Sequence, residues 1–142
     1  MPDICFYILP SSSLQERDIF TCKLVEKAYR QGVYSVILTA SDAHSTHMDD
    51  VLWTFRASSF IPHQLYAKNS VVEQDQILIS ADQSCLPQGS TLINVSQRIP
   101  EQLDRFERIL EILHQDELVL QSGRERYKQY QQAGANLTTH KL

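Results

Sequence analysis

Glycine is scarce in this chain, with four residues in 142: Gly32, Gly89, Gly123 and Gly134. None falls in the first candidate strand-to-helix turn, Pro10-Ser11-Ser12-Ser13. A dinucleotide-binding turn needs glycine there so that the backbone can approach a pyrophosphate, and no G-x-x-x-x-G-K-S/T phosphate loop occurs either. Cysteine is sparse as well. Cys5, Cys22 and Cys85 are odd in number and widely spaced, which argues against a disulfide framework and for reduced thiols. No stretch approaches the roughly 20 apolar residues of a membrane span. The first apolar run, Ile4 to Leu9, is too short for a secretory signal core. The chain is therefore expected to be soluble and cytoplasmic. An excess of positive charge is also missing: 13 Lys and Arg against 17 Asp and Glu give a formal net charge of -4. A protein that grips nucleic-acid phosphates is usually basic, so direct nucleic-acid binding is not expected.

Signatures of catalysis are equally thin. There is no G-x-S-x-G nucleophile elbow. Cys22 sits among apolar residues in mid-helix, a poor setting for a nucleophile. Asp49 and Asp50 are sequence neighbours, about 100° apart on a helix, and do not form an acid–base couple. His44 and His47, three apart, have a spacing that can chelate a metal, but no third ligand or Cys-x-x-Cys accompanies them. They read as solvated helix-face residues. No catalytic residue, metal site or cofactor is expected. The alternative reading is a Rossmann-like enzyme or nucleotide-binding protein that holds an anion at the serine turn, although serine there more often serves as turn and cap.

What is present is an ordinary globular composition, 42% hydrophobic and 21% charged, at a length suited to one domain spanning residues 1–142. Asp3 to Leu9 reads as a buried strand stopped by Pro10 and the serines. Ser13 and Glu16 form a capping box for a helix from Leu14 to about Gln31, ended at Gly32. Val33 to Thr39 reads as a second strand, and Ser41 caps a helix from Asp42 to about Thr54. Phe55 to Ala67 reads as an ordered loop. Gln76 to Ser80 and Ser90 to Val95 are short strands separated by a turn at Pro87 to Gly89. Pro100 is placed to open a helix whose buried face would be Leu103, Phe106, Ile109, Leu110 and Leu113. A last helix is expected from about Asp116 to Ala133, weakened by Gly123 and ended at Gly134. Strands alternating with helices imply an α/β layer fold with a largely parallel central sheet flanked by helices.

Two segments carry functional information. The first is Leu52-Trp53-Thr54-Phe55 with Ser59-Phe60-Ile61-Pro62-His63, which holds the only tryptophan. Its aromatic residues either fill the core or form an apolar patch that anchors a partner. The second is Gly123-Arg124-Glu125-Arg126-Tyr127-Lys128-Gln129-Tyr130. On a helix Arg124, Tyr127 and Lys128 share one face, and Arg126 and Tyr130 another. Two cations flanking an aromatic ring suit a carboxylate next to an apolar group, and Lys141 can add to them. The plainer reading is a solvated charged face with Glu125 neutralising its neighbours.

The opening Phe6-Tyr7-Ile8-Leu9, the two segments above and the closing Ala133-Gly134-Ala135-Asn136-Leu137 resemble the chi subunit family of DNA polymerase III, in order and over nearly the whole chain. The resemblance implies a Rossmann-like three-layer fold with no catalytic activity. It implies two partners: the psi subunit of the clamp loader, in a heterodimer, and the acidic, phenylalanine-terminated tail of single-strand DNA-binding protein. It assigns Trp53 and Phe60 to psi binding. It assigns Arg124, Tyr127 and Lys128 to tail binding, with Leu113 and Thr139 as wall residues. One departure stands out: Leu120 occupies the place of a family lysine, so it is not carried over as a cation.

Overall fold

Asp3–Ile8 forms β1. The serine turn that follows starts α1 (Leu14–Arg30), with the Ser13 hydroxyl accepting from the Glu16 amide at 3.2 Å. Gly32 adopts φ +79°, a left-handed conformation that side chains disfavour, and so ends the helix cleanly. β2 (Val36–Leu38) leads to Ser41, whose hydroxyl accepts from the His44 amide at the start of α2 (Asp42–Thr54). Then come β3 (His63–Leu65), β4 (Ile77–Ser80), β5 (Gly89–Asn94) and β6 (Phe106–Leu113). The Asp116 side chain caps α3 (Glu117–Gln132) by accepting from Val119 N at 3.1 Å. Gly134, at φ +84°, turns the chain into β7 (Asn136–Lys141). The structure, a computed structural model, describes residues 2–55, 61–66, 76–86 and 89–142.

Among the described residues the strands form one sheet of order β3-β4-β2-β5-β6-β1-β7, with every pairing parallel. Alternate strand residues feed two apolar layers. Ile37, Ile79, Ile93 and Ile112 pack with Cys22 and Val25 of α1 and Met48 and Leu52 of α2. Phe6, Leu92, Ile109 and Leu113 pack on the opposite face with Tyr130 of α3. The result is a Rossmann-like α/β fold of three layers: α1 and α2, the sheet, and α3.

Two sequence readings are corrected, and one further strand lies where no element was expected. The segment opened by Pro100 is not a helix: a short 3₁₀ turn (Leu103–Arg105) precedes β6, which lies between β5 and β1. Phe106, Ile109, Leu110 and Leu113 fit a helical spacing by coincidence, because a strand buried on both faces has no alternation to display. Glu111, a charged residue within the same strand, is fully buried. The second correction is β3, inside the expected loop; two of its three residues, His63 and Gln64, are polar, and it lies at the sheet's edge. The strand that was not expected is β7, whose only large apolar side chain is Leu137. The turn at Pro87 and Gln88 lies outside the described residues.

Glu111 is stabilised where it lies. Arg126 of α3 donates to both carboxylate oxygens (3.1 and 3.0 Å), Asn94 donates at 2.9 Å and the Tyr130 hydroxyl at 2.6 Å. Burial, and then the Glu111 charge, push the Tyr130 phenol far above its ordinary pKa, so it remains a donor. This bidentate, fully bonded arrangement fixes how α3 lies on the sheet.

Candidate functional site

With Arg126 and Tyr130 turned into the core, the opposite face of α3 is left with Arg124, Tyr127 and Lys128. These three residues line a cavity of about 540 Å³ at the carboxyl ends of β6, β1 and β7. Ligands of open parallel sheets characteristically sit beyond the carboxyl ends of the strands. Leu113, at the end of β6, forms part of its floor, and Thr139 and Lys141 of β7 form its outer wall. The five residues Leu113, Arg124, Tyr127, Lys128 and Thr139, spread over three elements, thus border a single space.

The lining also includes Phe6, Ile8, Leu9, Leu120 and Gly123. Sequence reasoning passed over the β1 residues because a buried strand and a cavity wall look alike in sequence. Leu120 contributes an apolar wall. Gly123 was the available signal, since glycine inside a helix often marks a close approach. A Cβ built on it would lie 2.6 Å from Leu113 Cδ1, well inside contact distance. Glycine therefore lets α3 lie against Leu113 and keeps the cavity open.

The electrostatics are one-sided. Among the described residues Arg124, Lys128 and Lys141 ring the cavity, no acidic side chain lines it, and none of the three cations forms an ion pair. Glu125, the expected neutraliser, is exposed and off the cavity. Exposed, unpaired cations around an apolar space can hold an anionic group whose neighbour is apolar.

The tryptophan segment divides. Leu52 and Ile61 enter the core, whereas Trp53 is 53% exposed on α2. Its ring lies 4.8 Å from that of His63, whose Nε2 is 3.1 Å from Asp49 Oδ1. Leu65 of β3 is also exposed. This surface belongs to the β3 side of the sheet, far in strand order from the β7 edge. Phe60 lies outside the described residues.

The remaining candidates have structural uses. The Ser13 hydroxyl caps α1, and the Ser11 hydroxyl accepts from Ser13 N at 3.0 Å. His44 and His47 approach the two oxygens of Asp18 on α1, each at 3.4 Å, and tie α2 to α1. Burial pushes the Asp18 carboxyl up, but the His44 hydrogen bond and the Arg17 charge outweigh it and hold it below its ordinary value. Among the described residues no group of three or more His, Cys, Asp or Glu side chains is placed to hold a metal. Burial pushes the Cys22 thiol up to about 12. No helix among the described residues is long and apolar enough to cross a membrane.

The architecture places the chain among Rossmann-like α/β proteins. A solved structure, the crystal structure of T4 UvsW, shares it at a TM-score of 0.70 and 9% identity, covering 99% of this chain but 41% of that one; the likeness is one of fold. The family described as DNA polymerase III chi subunit, HolC, matches residues 1–138, and the chain belongs to that family. Relatives named DNA polymerase III subunit chi bear this out along the full length. The one from Pseudomonas aeruginosa is 28% identical, covering 100% of this chain and 98% of its own. Those from Haemophilus influenzae (28%; 96% and 95%) and Escherichia coli (23%; 98% and 97%) are similar at comparable coverage.

Proposed function

We propose that the chain is a non-catalytic adaptor of the DNA polymerase III holoenzyme. It pairs with the psi subunit through the surface around Trp53 and Phe60. It takes the acidic, phenylalanine-terminated tail of single-strand DNA-binding protein in the cavity bordered by Leu113, Arg124, Tyr127, Lys128 and Thr139. The observation that carries this reading is the cavity's character: an apolar interior ringed by three cations without an acidic side chain. Arg124 and Lys128 suit the terminal carboxylate, and the space beside Leu113 and Tyr127 suits the terminal phenyl ring. Acidic residues upstream on the tail are attracted by the same cations, so affinity falls as salt rises.

Calorimetric titration with an acidic peptide ending in Asp-Ile-Pro-Phe tests the tail site. Saturable one-site binding that weakens with salt and is lost on amidating the terminal carboxylate is expected. Absence of binding at low salt would overturn the assignment.

A further inference from the structure

We propose that the segment occupying the cavity also joins the sheet, pairing along the outer edge of β7 as an added strand. This rests on the tail reading above and extends it from the side chains to the backbone.

Strand geometry carries the inference. Among the described residues β7 pairs only with β1, so its second edge is open. The Leu142 amide donates to the Ile8 carbonyl at 3.0 Å, and Ile8 is opposite Lys141. In a parallel ladder this register turns the amides and carbonyls of Thr138, His140 and Leu142 toward β1. Those of Leu137, Thr139 and Lys141 then point outward. The same alternation governs the side chains, and it is Thr139 and Lys141 that line the cavity. Unpaired backbone groups and cavity wall thus come from the same residues. An extended peptide paired there places alternate side chains over the cavity, which is how strand addition combines affinity with selectivity. The occupant is fixed by charge: Arg124, Lys128 and Lys141 favour an acidic segment, and the apolar floor favours an apolar end residue. An exposed parallel edge invites pairing, and the cationic rim discriminates against segments that lack acidic residues.

Residue-resolved amide hydrogen exchange by NMR on the full chain tests this, with and without a saturating acidic peptide ending in Asp-Ile-Pro-Phe. The Thr139 and Lys141 amides should slow at least about tenfold on peptide addition, while Thr138 and His140, already bonded to β1, stay unchanged. If Leu120, Gly123 and Tyr127 shift on titration but Thr139 and Lys141 exchange as before, the strand pairing is overturned and the cavity reading stands. If no resonance shifts, both are overturned.

Discussion

Replacing Gly123 by alanine adds one methyl group to a place already filled. The new Cβ would lie 2.6 Å from Leu113 Cδ1 and 3.2 Å from Cδ2. Carbon atoms pack at about 3.5–4.0 Å, so the Leu113 side chain must move by about 1 Å. Leu113 is otherwise enclosed, at 3% exposure, and the cavity is the open space beside it. Two opposing terms set the stability change. Alanine gains about 1 kcal/mol over glycine in a helix, and overpacking costs about 1–3 kcal/mol. The variant should range from neutral to about 2 kcal/mol less stable. Binding should suffer more. Burying an aromatic side chain contributes about 1.5–3 kcal/mol, so displacing Leu113 into that space weakens the Asp-Ile-Pro-Phe peptide roughly tenfold to 150-fold. Calorimetry measures the affinity and urea unfolding the stability. In a double-mutant cycle, Leu113→Ala should relieve part of the loss. A folded Gly123→Ala variant with wild-type affinity and no coupling to Leu113 would refute the reasoning.

Arg126→Ala leaves Glu111 buried without its bidentate partner and should cost about 3–5 kcal/mol in urea unfolding, whereas Arg124→Ala, two residues away, should change stability by no more than about 0.5 kcal/mol; equal midpoints would contradict the division of α3 into a core face and a cavity face. Stability should also fall in two steps with pH. Burial, and then Arg17, hold the His114 pKa below its ordinary 6.5, so the unfolded chain binds that proton first; the contribution is complete above about pH 6.5 and is lost as pH drops toward the folded value. Asp18, also depressed, contributes above about pH 3.9 and is lost below it. Urea midpoints against pH should lose the upper step in His114→Gln, and an unchanged profile would count against it. The Cys22 thiol, at about 12, should resist alkylation at pH 8 until the chain unfolds; rapid native-state labelling would show that α1 opens locally.

The parts of the fold legible in sequence were those with local punctuation. Ser13, Gly32, Ser41 and Gly134 bound α1, α2 and α3 through capping physics that needs no tertiary context. β6 was illegible because its burial on both faces and its internal Glu111 are tertiary facts, the latter explained by Asn94, Arg126 and Tyr130, at least 15 residues away in sequence. β3 and β7 were missed because edge strands carry little apolar signal. At the site, helical spacing alone separated Arg124, Tyr127 and Lys128 from Arg126 and Tyr130. That Leu113 and Thr139 join them was implied by family resemblance. The contribution of β1 emerged only when the register of β1 with β6 and β7 brought three strand ends together.

Bridging requires that two partners occupy one chain at once, at surfaces on opposite sides of the sheet. Size-exclusion chromatography with light scattering, on the chain mixed with psi and full-length single-strand DNA-binding protein, measures this directly. A ternary complex is expected. Trp53→Ala, still folded, should lose psi and keep the tail; Arg124→Ala with Lys128→Ala should lose the tail and keep psi. Mutual exclusion of the two partners, or loss of both on either substitution, would contradict the adaptor reading.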